Sequence, residues 1–228
     1  MSEVVRFPKH KNAPLPAGWE TLFSAVLSDA LDAAGCMGQA MSPGIRPLDD
    51  TLRLCGRART GQYAEVDHVE PGTNPYELEI AIVDDLKPGD VAVFACGGSD
   101  KIAPWGSLLS TASRARGAAG CVTDGFVRDI LEIRAMKLPV FNGGIAPLDS
   151  KGRGHIVAVD VPVVCDGVTV APGDLVFGDA DGVVVVPQAI EAKVLAIAFD
   201  KINGERHSMR ELREGSFLRD VYAKYGVL

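Results

Sequence analysis

Apolar residues recur along the chain with two alternating periods. Leu22, Val26, Ala30 and Ala34 stand four apart with Phe23, Leu27 and Leu31 beside them, so "ETLFSAVLSDALDAAG" predicts a helix that Gly35 stops. "LRLCGRARTGQYAEV" reads as one or two strands, and Pro71-Gly72 opens a loop before a predicted helix over "NPYELEIAIVDDL". "DVAVFAC" has the length and residue types of a buried strand, closed by Gly97-Gly98. The alternation continues with a helix from Ser107 to Arg116, a short strand "GCVTD", a turn at Asp124-Gly125, a helix from Ile130 to Lys137 and the strand "LPVFNGG". That rhythm predicts an α/β domain with a largely parallel segment.

From His155 the style changes. Valine-rich runs punctuated by Asp166-Gly167, Pro172-Gly173-Asp174 and Asp181-Gly182 predict hairpins or a small meander, a β-rich C-terminal part. Gln188 to Tyr225 reads as one or two helices with charged outer faces. The first nineteen residues, with Pro8, Pro14, Pro16 and Gly18, read as an arm laid over the surface or over a neighbour. The expected organisation is therefore an arm over 1–19 and a single domain over 20–228.

Composition narrows the function classes. At 228 residues, 47% hydrophobic and 23% charged, the chain can bury a sizeable core as a globular protein. A net charge of −7 argues against nucleic-acid binding, which needs a basic footprint. The five cysteines have no Cys-x-x-Cys spacing and read as small buried thiols in a reducing compartment. The N-terminus lacks the apolar core of a signal peptide and no apolar run is long enough to span a bilayer, so a cytoplasmic location is expected.

The chemistry concentrates between Gly106 and Asp129. Glycine lets a backbone approach a ligand, and a helix starting at Ser107 opens with amides, including those of Leu108 and Leu109, that lack intrahelical partners. Such a helix start suits a carboxylate or phosphate; alternatively Ser107 merely caps the helix. In "DGFVRD", Arg128 offers a fork of donors to a carboxylate or enolate oxygen, and Asp129 suits Mg²⁺ or Mn²⁺. The competing reading makes Asp129, with Glu132 three positions on, a capping box and Arg128 a solvated side chain. Other candidates are weaker. His10, His68, His155 and His207 share no metal-ligand spacing, "GRG" at Gly152 is no dinucleotide fingerprint, and Asn74 suits capping of the helix after it.

The ordered set Gly-x-Leu-Leu, Arg-Gly-x-x-Gly and Asp-Gly-x-x-Arg-Asp in "WGSLLSTASRARGAAGCVTDGFVRD", with "DALDAAG", "GIRPLD" and "PGDLVFGDADGVVVVP", resembles the RraA-like family. That family contains regulators of ribonuclease E activity and 4-hydroxy-4-methyl-2-oxoglutarate (4-carboxy-4-hydroxy-2-oxoadipate) aldolases. The resemblance runs from about Glu20 to Leu228 and implies an α/β/α sandwich assembled as a homotrimer or hexamer, with sites between subunits. It implies further that the amides of Leu108 and Leu109, behind Gly106 and Ser107, hold the carboxylate of pyruvate. Arg128 would contact the oxygen that becomes the enolate, and Asp129 would bind the divalent ion.

Two departures stand out. The aldolases carry an acid directly after the glycine, where this chain has Ser107, and they bring a C-terminal glutamate to the neighbour's metal, where this chain has Gly215-Ser216. Glu205 or Glu214 would be the substitute. A serine hydroxyl is not a base near neutral pH, whereas β-keto acid decarboxylation needs only enolate stabilisation. The expected function is a divalent-metal-dependent lyase that acts on a small 2-oxo dicarboxylic acid and releases pyruvate, as an aldolase, an oxaloacetate decarboxylase or both. The alternative is a non-catalytic regulator that binds and restrains a ribonuclease. A methyl transferase is set aside because no glycine-rich methyl-donor loop follows the first strand.

Overall fold

The computed structural model describes residues 13–226. Its centre is a twelve-residue strand, β2 (Leu54–Glu65), following a two-residue strand β1 (Arg46–Pro47). Three parallel strands extend the sheet from one edge of β2: β3 (Asp90–Ala95), β4 (Gly120–Val127) and β5 (Val140–Ile145). Each parallel step is bridged by a helix: α2 (Glu77–Asp85), α3 (Ser107–Ala115) and α4 (Ile130–Met136). This is the connection that parallel pairing requires, since a hairpin cannot return a strand in the same direction.

The valine-rich part does not form a separate meander. β6 (Gly154–Val159) and β9 (Leu175–Asp179) both pair antiparallel with β2, β9 along Leu54–Arg57 and β6 along Gly61–Glu65, and β10 (Gly182–Val186) continues from β9. The length of β2 allows this, because its two halves accept different partners on one edge. The eight-stranded sheet runs β1-β5-β4-β3-β2-β9-β10, with β6 beside β2. The hairpin expected at Asp166-Gly167 is present as β7 (Val163–Cys165) and β8 (Val168–Val170), a separate two-stranded sheet.

Alternation along β3 divides the core. Ala92 and Phe94 face Ile82 and Val83 of α2 and Ile133 of α4, whereas Val91, Val93 and Ala95 face Val163, Cys165, Val168 and Val170 of the hairpin. A third cluster joins α1 (Ser24–Ala33) and α5 (Glu191–Arg213) to Leu175, Phe177, Val184 and Val186 of β9 and β10. Cys55, Arg57 and Arg59 of β2 share the face of Ala92 and Phe94, so these helices lie against one face of the curled sheet and the hairpin against the other, giving a layered mixed α/β architecture. The C-terminal part adds α6 (Leu218–Tyr225) after α5.

Part of the N-terminal arm is described. Buried Arg57 donates to the carbonyls of Ala13 and Pro14 and forms a two-pronged ion pair with Glu191, so this stretch packs against its own chain. Pro8 and His10 lie outside the described residues. All five cysteines are free, and Cys55, Cys96, Cys121 and Cys165 are buried. Among the described residues no helix is long and apolar enough to cross a membrane.

One local expectation is corrected. Asp124-Gly125 does not end β4, which continues to Val127; the pair sits where the β4–β5 register shifts between Thr123 and Phe126. The bulge turns the Asp124 carboxylate inward, where it accepts the amides of Cys96, Gly98 and Asp166. Those bonds satisfy donors at the end of β3 and in the hairpin turn, so Asp124 ties three segments together.

Candidate functional site

The strand extension places the site. The chain before α3 runs beside the end of β4: Trp105 bridges Val127 in parallel, and the Arg128 amide donates to the Trp105 carbonyl at 3.0 Å. Trp105 is fully buried, stacks edge-on against Phe94 at 5.5 Å and donates its indole N–H to Ser110 Oγ at 2.8 Å. This anchor fixes the start of α3 against Arg128 and Asp129. Gly106 is required by closeness, since a Cβ there would lie 2.9 Å from Asp129 Oδ2 and 3.2 Å from Arg128 Cγ. Its φ of −150° is ordinary extended backbone, so the demand is for space alone.

Asp129 does not cap α4. It sits at the N-cap position with φ 57° and ψ 37°, a left-handed conformation uncommon outside glycine, and makes no side-chain capping bond there. Its carboxylate instead turns to α3, where Oδ2 accepts the Ser107 amide at 3.1 Å and the Ser107 hydroxyl at 2.9 Å. The expected capping box with Glu132 is thus absent, and the aspartate caps a different helix. The Ser107 amide, followed by the Ser107 hydroxyl, holds the Asp129 carboxyl below the usual carboxylate range. Asp129 Oδ1 and the amides of Leu108 and Leu109 make no hydrogen bond to any described residue.

These groups line one cleft of about 330 Å³. Gly106, Leu108, Leu109, Arg128 and Asp129 are all on its wall, while Ser107 stands at the edge through its bonds to Asp129. Arg128 is not a freely solvated side chain. Its Nη1 donates to the Leu148 carbonyl at 3.2 Å and lies 3.6 Å from Asp149 Oδ2, which also accepts the Tyr76 hydroxyl at 2.8 Å. Burial acts to raise the Asp149 carboxyl, but the Tyr76 hydroxyl, backbone amides and the Arg128 charge together hold it below its ordinary value. Burial and the bond to Asp149 push the Tyr76 phenol up to about 12, so it remains a donor through the neutral range.

Tyr76, Asp149 and, above all, Glu79 escaped the sequence reading. Glu79 lies on the buried face of α2 and lines the same cleft. Its Oε2 accepts the Tyr63 hydroxyl at 2.5 Å and, at a longer 3.4 Å, the Ser150 hydroxyl. Burial pushes its carboxyl up to about 7, the Asp149 charge adding to a rise that the two hydroxyls and Arg128 oppose. A signal was available: Glu79 precedes Ile82, Val83 and Leu86 by three, four and seven residues, which puts a carboxyl in a helix's apolar stripe.

Among the described residues no group of three or more His, Cys, Asp or Glu side chains is arranged to hold a metal. His68 sits between Asp67 and Glu70 on the surface, away from the cleft, and Asn74 accepts the Tyr76 amide in the turn before α2.

Comparison with known proteins agrees with this architecture. Residues 24–185 match the RraA-like family, described as Aldolase/RraA. A Halalkalibacterium halodurans protein provisionally named 4-hydroxy-4-methyl-2-oxoglutarate aldolase is 36% identical over 80% of this chain and 81% of its own. Streptomyces coelicolor RraAS2, described as an unusual member of the RNase ES inhibitor RraA family, is 31% identical with a TM-score of 0.77, covering 85% of this chain and 95% of that one. An uncharacterized Pseudomonas syringae protein is 34% identical with a TM-score of 0.77, over 89% of this chain and 94% of that one. The protein belongs to the RraA-like family.

Proposed function

We propose that the protein is a lyase that binds a small 2-oxo dicarboxylic acid in the cleft and releases pyruvate. The observation that carries this reading is the convergence of the Leu108 and Leu109 amides, Arg128 and Asp129 on one cavity. Two unpartnered amides at a helix start suit the 2-oxo acid's carboxylate. The guanidinium, held by Leu148 and Asp149, is positioned to stabilise an enolate oxygen as charge develops there. The substrate class follows the provisional aldolase names of the relatives.

The donor set fits a hydrated divalent ion. Mg²⁺ and Mn²⁺ favour oxygen ligands, and Mg²⁺ commonly keeps several waters while using one or two carboxylates, so Asp129 Oδ1 is the ligand this chain offers. When bound, such an ion would polarise the substrate's 2-oxo oxygen as a Lewis acid. Ser107 holds Asp129 in place, and Arg128 orients the substrate. The remaining ligands would come from water, substrate or a neighbouring subunit in a trimer or hexamer. Leu108 and Leu131 are 83% and 73% exposed beside the site, apolar surface that a neighbouring subunit would cover.

The test is pyruvate release from 4-hydroxy-4-methyl-2-oxoglutarate and from oxaloacetate, with Mg²⁺, with Mn²⁺ and with chelator. Metal-dependent release from either substrate is expected. Inertness towards both under every condition removes the lyase reading. The likeness to RraAS2 favours, as a second reading, restraint of a ribonuclease, and inhibition of a ribonuclease by lyase-inactive protein would establish it.

A further inference from the structure

We infer that Glu79 is the proton-transfer residue of the cleft, doing for aldol cleavage what the acid missing at Ser107 cannot. This inference rests on the lyase reading. Three carboxylates line the cavity: Glu79, Asp129 and Asp149. Asp129 Oδ2 is engaged by two Ser107 donors and its Oδ1 faces the proposed ion. Asp149 Oδ2 is engaged by the Tyr76 hydroxyl and lies close to Arg128. The Asp149 carboxyl is held below its usual range, which makes it a poor base near neutrality.

Glu79 differs in geometry. Both of its hydrogen bonds reach Oε2, from Tyr63 and Ser150, and Oε1 makes none to any described residue. The carboxyl thus sits fixed on the cleft wall with one oxygen uncommitted. The charged and titratable groups facing it are Tyr63 on β2, Cys96 at the end of β3, Arg128 beyond β4, Tyr76 before α2 and Asp149 beside Ser150. Tyr63 is buried and its phenol is pushed well up by that burial, so it serves as a donor only. Burial of Glu79 brings its titration to about 7, where a general base and its conjugate acid are both useful.

The step balances without a further reagent. Glu79 Oε1 takes the proton of the substrate's C4 hydroxyl, the C3–C4 bond breaks, and C4–O becomes the carbonyl of the departing pyruvate. The electron pair of the broken bond forms the enolate of the second pyruvate, its oxygen facing Arg128. The protonated Glu79 then returns its proton to C3, completing the methyl group and restoring the carboxylate. Decarboxylation of oxaloacetate needs no proton taken from a hydroxyl, so it depends on Glu79 much less.

The experiment compares wild type, Glu79→Gln and Tyr63→Phe in cleavage of 4-hydroxy-4-methyl-2-oxoglutarate and decarboxylation of oxaloacetate from pH 5 to 9. Cleavage by wild type should rise with a midpoint near pH 7. Glu79→Gln should lower cleavage kcat by about 10²–10⁴, with a far smaller loss in decarboxylation, so the ratio of the two rates falls. Tyr63→Phe removes a donor that favours the charged carboxylate and should move the midpoint upward. Glu79→Gln cleavage within a few-fold of wild type, with the same pH limb, overturns the assignment. So does wild type that decarboxylates but does not cleave; both results leave the lyase reading standing. Wild type inert towards both substrates removes the lyase reading and this role together. Should Glu79→Gln fail to fold, the Tyr63→Phe midpoint decides: an upward move supports the role and an unmoved midpoint overturns it.

Discussion

The buried carboxyl of Glu79 has a consequence for stability that does not depend on any substrate. Its folded value near 7 lies above the ordinary 4.5, so the folded protein binds a proton that the unfolded chain releases between those pH values. Unfolding is therefore favoured as pH rises through this window: the contribution is fully present below about 4.5 and lost above about 7. The two values correspond to roughly 3 kcal/mol. Asp129, Asp149 and Asp85 are shifted the other way, and their contributions are lost only at acid pH, outside the window. His68 is raised by Asp67 and then Glu70, so it acts in the same direction near neutrality, and a comparison with Glu79→Gln cancels it. Urea denaturation of both proteins at pH 5, 6, 7 and 8 is the assay. Wild type should lose about 2.5 kcal/mol relative to the variant between pH 5 and pH 8, with little further change above pH 8. Parallel stability curves would refute the reasoning, because they would mean the carboxyl is solvated rather than buried.

Three further outcomes follow from the same geometry. Arg128→Ala should lower pyruvate release by about 10²–10³ in kcat, read in the coupled pyruvate assay, whereas a merely solvated arginine would leave it unchanged. Gly106→Ala puts a Cβ 2.9 Å from Asp129 Oδ2 and should depress turnover far more than it depresses Tm, the carboxylate and Arg128 having to move while the backbone accepts alanine without strain. Arg59 is fully buried beside the fully buried Asp90 and the less buried Asp160 and Asp85, so Arg59→Ala should cost about 3–5 kcal/mol in denaturant titration by taking this cation away from a buried carboxylate.

What the chain disclosed in advance follows from the range of each signal. The helices α1 to α4 and strands β3 and β5 are local events, set by periodicity and ended by glycine or proline, and they stand within a few residues of their expected positions. The pairing of β6 and β9 with opposite halves of β2 is a long-range event that no turn dipeptide encodes, so the C-terminal strands read as a free meander until the sheet claimed them. The bulge at Asp124 misled for a related reason: Asp-Gly is a turn signal, and only the amides of Cys96, Gly98 and Asp166 convert it into a buried tie inside a strand.

The site divides along the same line. Gly106, Arg128 and Asp129 sit in an ordered motif, and the bridge from Trp105 to Val127 is what makes their separation in sequence a closeness in space. The choice between capping and binding for Asp129 could not be made from spacing, because the helix it caps is α3 and not its own. That answer weakens the contest between the two readings. Capping consumes Oδ2 alone, and the left-handed backbone that sends the carboxylate across to Ser107 leaves Oδ1 free of hydrogen bonds to the described residues. Asp129 adopts an uncommon conformation and leaves its own helix α4 without a side-chain cap, an arrangement costly to maintain for capping α3 alone. Glu79 makes the complementary case. Its helical phase marks it as buried, and burial of a carboxyl beside a cleft is worth keeping when its titration falls where proton transfer is useful.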